Sequence, residues 1–452
     1  MHILIIGQGK FGTTLTRQLI KEGHDIVVID INNDNVTNIV DQYDVMGICG
    51  NGANCEILKE AGVAKAKLCM AMTSSDELNI LCCMFAKKLG AENTVARVRN
   101  PDYAHQAGFL RDKIGISMIV NPEYETARYI SRSLRFPFAS NLDTFAKGKV
   151  EIASIKIQPG SVLDGLALCD LKKKCKAKVL ICAVKRGENV TIPSGDFILL
   201  SGDTISVTGS NSELSAFIRQ TGSAKKGKIQ DVMIIGGGRI GYYLSILLTE
   251  VGRNVKLIEN NREKAVWLSN SLTDVTVINA DGTDKEVLDE QGIESQDALV
   301  ALTGIDEENI IVSMYAGSKN LRKVITKIDR RSLLFMEKLG LDTVVSPQDV
   351  AADIVTRYVR AIQNSSGSAR VQTLYRLLDG KIEASEFIVP EDTAYENVPF
   401  KSLSILPNTL VVCIIRNNKL IFPQGDDYMK ARDSVIVVTA GRIIEDLSDI
   451  FA

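Results

Sequence analysis

At 452 residues the chain exceeds what one ordinary hydrophobic core fills, so two to four domains are expected. Hydrophobic residues make up 45% and charged residues 24%, the balance of a soluble globular protein, and 53 basic against 55 acidic residues leave a net charge of −2, which argues against a general nucleic-acid binder. No run of about 18 apolar residues appears, so no membrane span is expected, and the N-terminus enters a strand without a signal-peptide pattern.

From Met1 to about Val120, strand and helix patterns alternate. Strands are predicted near Ile3–Ile6, Ile26–Ile29, Val45–Cys49, Leu68–Met72, Thr94–Val98 and Met118–Val120. Helices fit at about Gly12–Glu22, Asn33–Gln42, Glu56–Ala61, Asp76–Leu89 and Tyr103–Ile114, with one more over Pro122–Leu134. That rhythm predicts a doubly wound parallel sheet. From about Pro137 to Ile218, short strand-like runs (Val150–Ile157, Val179–Val184, Thr204–Val207) lie between turns such as Gln158-Pro159-Gly160-Ser161 and Pro193-Ser194-Gly195-Asp196, which predicts a small β-rich domain with one or two helices. A polar linker, Thr221–Lys228, precedes a second α/β module at about Ile229–Val359. A second linker, Gln363–Ser368, precedes a second β-rich domain at about Arg370–Ala452.

The order repeats because the chain is a duplication. Gly7-Gln8-Gly9-Lys10-Phe11-Gly12 and Gly236-Gly237-Gly238-Arg239-Ile240-Gly241 both read G-x-G-x-x-G, and the offset is 236 − 7 = 229. Each follows an apolar run, and each has an acid 18 positions past its last glycine, Asp30 and Glu259, again 229 apart. Pro193-Ser194-Gly195-Asp196 is answered by Pro423-Gln424-Gly425-Asp426. One fingerprint is a weak signal; two in register indicate a duplicated dinucleotide-binding protein.

The fingerprint carries a mechanism. The first glycine allows the strand-to-helix turn, the second lets the backbone approach a pyrophosphate, and the third permits close helix–strand packing, with the phosphates at a helix N-terminus. Lys10 and Arg239 lie in these loops, where a role near phosphate and a solvated surface role are both open. Asp30 and Glu259 stand where a carboxylate accepts from both ribose hydroxyls, which favours NAD over NADP. Asn51-Gly52 aligns with Asp281-Gly282 after the third strand, suited to closing over an adenine edge. Thr73-Ser74 and Thr303 sit at strand ends where such a topology places ligand. Arg97 and its counterpart Lys327 end the fifth strand and could pair with phosphate. Asp76 and Asp306 read as helix N-caps or first-turn acids. Nine cysteines lack metal-like spacing and read as reduced thiols, with Cys82-Cys83 adjacent on a helix; three histidines (His2, His24, His105) do not cluster, which argues against a His-based metal or triad site.

These features together resemble the TrkA family of potassium-uptake regulators, built from RCK (KTN) nucleotide-binding domains. The resemblance is carried by Gly7–Gly12, Asp30, Gly50-Asn51-Gly52, Thr73-Ser74-Ser75-Asp76-Glu77, Ala96-Arg97-Val98-Arg99-Asn100-Pro101 and Asn121-Pro122-Glu123, with Ser346-Pro347-Gln348 as an echo. It implies an α/β fold with two Rossmann-like doubly wound parallel-sheet domains, each followed by a small α+β domain of TrkA-C (RCK-C) type. The expected segments are residues 1–136, 137–224, 225–362 and 363–452. It also implies a cytoplasmic protein, not an enzyme, that binds NAD(H), with ATP or ADP as further candidates. Such a protein forms a ring, a homotetramer of tandem chains, beneath a membrane potassium channel or transporter subunit of TrkH type. The ligand contacts the resemblance implies fall on Gly7 to Phe11, Asp30, Thr73, Ser74, Arg97 and their second-half counterparts. The second half departs from the pattern: Lys327-Ile328-Asp329-Arg330 replaces Arg97-Val98-Arg99-Asn100, and Gly304-Ile305 replaces Ser74-Ser75. The alternatives are an NAD-dependent oxidoreductase and a regulatory module acting on another partner.

Overall fold

Aliphatic runs buried on both faces nucleate the first sheet: Ile3, Leu4, Ile5, Val28 and Ile29 have no solvent exposure, as expected of parallel strands covered by helices on both sides. The computed structural model describes residues 1–100, 103, 107–135, 139–145, 150–222, 229–319, 321–330, 333, 340–364, 371–378, 381–417, 419–442, 444 and 446–451. They form two compact units, one of residues 1–131 and 229–359, the other of residues 132–228 and 360–452.

In the first module, β1 (His2–Ile6), β2 (Asp25–Asp30), β3 (Met46–Cys49), β4 (Leu68–Ala71), β5 (Thr94–Arg97) and β6 (Met118–Val120) form one sheet in the order β3-β2-β1-β4-β5-β6, all pairs parallel. The strand order reverses on either side of β1, so a crevice opens at the carboxyl ends of β1 and β4. The helices Lys10–Lys21, Asn33–Gln42, Cys55–Glu60, Asp76–Lys88 and Pro122–Arg135 match the expected positions within a few residues. The expected helix Tyr103–Ile114 lies partly outside the described residues; its described end is Ala107–Phe109 followed by a π-turn over Leu110–Ile114.

The first small domain has β7 (Ala139–Phe145), β8 (Val150–Lys156), β9 (Leu180–Arg186), β10 (Asn189–Thr191) and β11 (Thr204–Gly209), antiparallel in the order β10-β9-β11-β8-β7, with the helix Asn211–Thr221. Two of its strands were not expected. β7 reads ASNLDTF, which lacks a clean alternation, and it is an edge strand.

The second module repeats the first with β12 (Asp231–Ile235), β13 (Asn254–Glu259), β14 (Val275–Asn279), β15 (Ala298–Ala301), β16 (Lys323–Lys327) and β17 (Thr343–Val345) in the order β14-β13-β12-β15-β16-β17, all parallel. The second small domain has β18 (Val371–Leu377), β19 (Ile382–Ile388), β20 (Thr409–Arg416), β21 (Lys419–Ile421) and β22 (Ser434–Ala440), ordered β18-β19-β22-β20-β21. Read from the other edge, that is the order of the first small domain. Where the first has the helix Asn211–Thr221, the second has a short 3-10 turn, Leu447–Ile450. Residues 223–228 and 365–368 of the two expected linkers lie outside the described residues.

Within the second unit the two small domains share a core: Phe145, Val150, Cys182 and Ala183 join Ile382, Ala384, Val412, Cys413, Ile436 and Val438. The duplication repeats its polar contacts too. Asp203 is held by Arg186 at 2.7 Å, and 230 residues later Asp433 is held by Arg416 at 2.7 Å. All nine cysteines are unpaired thiols. Burial pushes the Cys82 thiol up to about 12 and raises Cys83 as well, so the adjacent pair on the helix Asp76–Lys88 sits in the core as neutral thiols.

Candidate functional site

Each fingerprint turn is shaped by what its glycines leave out. Gly7 and Gly236 have φ of +92° and +102°, and a Cβ at Gly7 would stand 2.8 Å from the Thr73 amide nitrogen. Gly12 and Gly241 face the turn itself: a Cβ would fall 1.9 Å from the Gly7 carbonyl oxygen and 2.3 Å from that of Gly236. Gly9 and Gly238 cap the helices Lys10–Lys21 and Arg239–Thr249, and a Cβ there would meet no protein atom within 4 Å. The middle glycine thus borders open space at a helix N-terminus, the cradle a pyrophosphate requires.

Both turns open into one cavity of about 1070 Å³ lined by the two modules of the first unit. Of the expected site residues, nineteen line it: Gly7, Gly9, Lys10, Phe11, Asp30, Asn51, Gly52, Thr73, Ser74 and Arg97 from the first module, and Gly236, Gly238, Arg239, Ile240, Glu259, Asp281, Gly282, Thr303 and Lys327 from the second. Gln8, Gly12, Gly237 and Gly241 do not. Gln8 is buried: its side-chain amide donates to the Ile5 carbonyl at 3.3 Å and accepts from the Thr16 hydroxyl at 3.1 Å. The backbone N–H groups of Gln8 and Gly237 hold the strand-end acids at 2.5 Å (Asp30) and 3.0 Å (Glu259).

Asp30 also accepts from the Asn32 N–H at 2.8 Å, and Glu259 from the Asn261 N–H at 2.9 Å and Lys264 Nζ at 2.7 Å. Burial opposes the charged form of Glu259, but Lys264 and the two N–H donors outweigh it and hold the carboxyl below its ordinary value. After the third strands, the Asn51 side chain accepts from the Ala53 N–H at 2.9 Å and Asp281 from the Thr283 N–H at 2.9 Å. These side-chain turns fix Gly52 and Gly282, whose missing Cβ positions are filled by the Cγ2 methyls of Ile6 and Ile235.

The fifth-strand cations are largely enclosed. The Arg97 side chain is 18% exposed, 3.5 Å from Glu123, with its guanidinium 5.8 Å from the Phe11 ring centroid. Burial lowers its pKa first, Glu123 opposes that, and Arg99 and Arg239 lower it further. The second module's Arg239 is therefore close enough to Arg97 to repel it, and an anion between them would relieve that repulsion. Arg97 Nε is buried and without a hydrogen-bond partner. Lys327 is held internally, donating to the Thr303 carbonyl at 3.2 Å and to Asp329 at 2.8 Å. The open cradles, the unpaired guanidinium nitrogen and the strand-end carboxylates fit a dinucleotide.

Asp76 and Asp306 need correction as caps. Ser75 caps the first helix through a bond from the Leu78 N–H, and Ile305 precedes the second without a side-chain cap. Both acids are first-turn residues whose carboxylates reach to the loop after the fifth strand. Asp76 accepts from the N–H groups of Arg99 and Asn100, both at 2.8 Å, and Asp306 from those of Asp329 at 2.9 Å and Arg330 at 2.8 Å. Sequence reasoning also missed Asn79 and Asn309. Each is fully buried and joins the fourth strand end to the fifth: Asn79 accepts from the Thr73 N–H at 2.8 Å and donates to the Arg97 carbonyl at 2.9 Å, while Asn309 does the same to Thr303 and Lys327 at 2.8 and 3.1 Å. Their signal was an Asn three residues into each helix on its buried face.

Residues 3–122 and 232–347 match the TrkA-N domain, and residues 152–222 the TrkA-C domain. The chain is 30% identical, over the whole length of both proteins, to a Trk system potassium uptake protein TrkA homolog of Archaeoglobus fulgidus. Among solved structures it is similar to the GsuK channel bound to NAD, at a TM-score of 0.63 and 19% identity over 97% of this chain and 77% of that one. It is also similar to GsuK bound to ADP, at a TM-score of 0.51 and 18% identity over 79% and 69%. The duplicated fingerprint, the two parallel sheets with their small antiparallel companions and these matches lead to one conclusion: the chain belongs to the TrkA family.

Proposed function

We propose that the protein is a nucleotide-binding regulatory subunit, working on the cytoplasmic side, that gates a membrane potassium uptake channel or transporter of TrkH type. The observation that carries this reading is the shared cavity: both fingerprints face one space lined by both modules, so a nucleotide at either would lie in a space that both modules line. A ligand so placed binds best at one relative setting of the modules and shifts the population toward it, by no more than its preference for that setting. A preference of about 100-fold corresponds to roughly 2.7 kcal/mol per site. Several chains in a ring, four by the family resemblance, would sum that bias at the pore.

NAD(H) is the favoured ligand, because Asp30 and Glu259 at the ribose positions would repel a 2′-phosphate, and ATP or ADP offers the same adenosine ribose. Gly9 and Gly238 would face the pyrophosphate, Lys10, Arg97 and Arg239 would neutralise it, and Asn51-Gly52 and Asp281-Gly282 would flank the base. The boundaries 1–136, 137–224, 225–362 and 363–452 belong to the same proposal. We read the protein as not an enzyme: both glycine turns, the strand-end acids and the strand-end cations line one cavity, an arrangement for holding a ligand. Among the described residues no helix is long and apolar enough to cross a membrane, so contact with the membrane would run through the partner.

Calorimetric titration of the full chain with NAD, NADH, ATP and ADP, followed by potassium flux through the co-purified transporter with and without the bound nucleotide, tests the proposal. Binding together with a nucleotide-dependent flux supports it. Sustained NADH turnover on carbonyl substrates would replace it with an oxidoreductase, and failure to associate with a potassium transporter in any nucleotide state would direct the regulation to another partner.

A further inference from the structure

The two ribose-position acids differ in one respect that the duplication does not require. Asp30 accepts two donors, both backbone: Gln8 N–H and Asn32 N–H. Glu259 accepts the equivalent two, Gly237 N–H and Asn261 N–H, and its Oε2 also holds the Lys264 ammonium at 2.7 Å. Lys264 is the third residue of the helix Arg262–Ser271, and 229 residues earlier the third residue of Asn33–Gln42 is Asn35. Both positions line the cavity. Among the described residues no cation pairs with Asp30.

A carboxylate has about four acceptor directions. At Asp30 two are taken and two are left, the number a ribose diol uses. At Glu259 three are taken, and the third donor stands at the cavity wall. Resting on the nucleotide reading above, we infer that Lys264 is a specificity-determining residue that occupies the acceptor a ribose hydroxyl would use, making the second site the weaker of the two for adenine dinucleotides. The Lys264 side chain is 42% exposed while the Glu259 side chain is 5% exposed, so the lysine can swing into water and the carboxylate cannot. A ribose diol can therefore bond Glu259 through both hydroxyls only by breaking this pair, and the first site has no such step.

The test is calorimetric, on the full chain with NADH. A Gly9→Val chain, closed at the first phosphate approach, reports the second site, and a Gly238→Val chain reports the first. Adding Lys264→Asn to the former should tighten NADH binding about three- to tenfold, while Lys264→Arg, which keeps the pair, should leave it unchanged. Adding Asn35→Lys to the Gly238→Val chain should weaken the first site by a similar factor. Unaltered melting profiles certify the fold, since both positions lie at the surface end of a helix. Unchanged affinity in Lys264→Asn overturns the inference, and so does weaker affinity, which would make the lysine a direct ligand contact. If the unsubstituted chain binds no NADH, the nucleotide reading falls and this inference with it.

Discussion

The phenol of Tyr243, on the second module's fingerprint helix, donates to the backbone carbonyl of Arg99 in the first module at 3.0 Å and accepts from the Asn121 side chain at 3.2 Å. The Tyr124 ring meets the Tyr243 ring edge-on at 5.4 Å. The first fingerprint helix answers with Gln18, which donates to Asp353 at 3.2 Å and accepts from Thr356 at 3.1 Å on the helix Pro347–Asn364. Each fingerprint helix thus grips the last helix of the other module, or the residue that starts it. Side chains in direct contact therefore join each fingerprint helix to the opposite module.

Tyr243→Phe keeps the ring contact and removes both hydrogen bonds, leaving the buried Asn121 amide and the Arg99 carbonyl with only their 3.3 Å bond to each other. The expected cost is about 1–2 kcal/mol, read as a fall in the midpoint of denaturant unfolding of the full chain. If nucleotide binding uses this contact, the response of the melting temperature to NADH should shrink as well. An unchanged midpoint would mean the contact contributes nothing to holding the modules together.

The fingerprint glycines should separate by role. Gly9→Ala places its Cβ in open space, so it should fold normally while weakening nucleotide affinity. Gly12→Ala places its Cβ 1.9 Å from the Gly7 carbonyl and should destabilise the fold by several kcal/mol, about the scale of severe core mutations. Circular-dichroism melts of the two variants check this, and equal stability would contradict the packing assignment.

Asp30→Ala removes the carboxylate whose two remaining acceptor directions would meet the ribose. NADH affinity at the first site should fall about tenfold or more, in line with hydrogen bonds to a charged acceptor. Unchanged affinity by calorimetry would remove the ribose assignment.

Asp306→Ala frees the Asp329 and Arg330 N–H groups and loosens the loop that carries Lys327's partner Asp329. A loss of about 2–4 kcal/mol is expected, since two bonds to a buried, charged acceptor disappear. Hydrogen exchange should quicken at residues 329 and 330 first; protection there equal to that in the unsubstituted chain would contradict the role.

Acid should destabilise the fold through the same group. Burial works against the charge on Asp306, yet the N–H groups of Asp329 and Arg330 and the charge of Lys327 overcome it and hold the carboxyl below its ordinary value. For Asp203 burial likewise opposes, and Arg186 and the Leu200 N–H prevail. A carboxyl depressed in the folded state contributes stability that is present above its unfolded pKa, about 3.9, and is lost as pH falls toward the folded value. The melting temperature should therefore be flat near neutrality and fall below about pH 4, with Asp203→Asn shallower in that limb.

The sheets were legible because parallel strands buried on both faces appear as unbroken aliphatic runs, and the turns because G-x-G-x-x-G recurs at a fixed offset. The strand-end acids followed from the same register. What was not legible depends on contacts remote in sequence. That Gly9 and Gly238 face one common space follows from Tyr243 meeting Arg99 and Gln18 meeting Asp353, which no local pattern encodes. Asp76 looked like a cap because Asp is common there; its N–H partners lie 23 and 24 residues away. Gln8 sat inside the motif, but its side chain found Thr16 and Ile5 instead of the cavity. β7 escaped because an edge strand needs no regular apolar alternation.

The central claim is that nucleotide occupies the space between the two glycine turns. Calorimetric titration of NADH into the full chain and into its Gly9→Val, Gly238→Val double variant tests it most directly. The account predicts saturable binding by the unsubstituted chain and none by the double variant at an unchanged melting temperature. Equal binding by the two would place the nucleotide elsewhere and contradict the account.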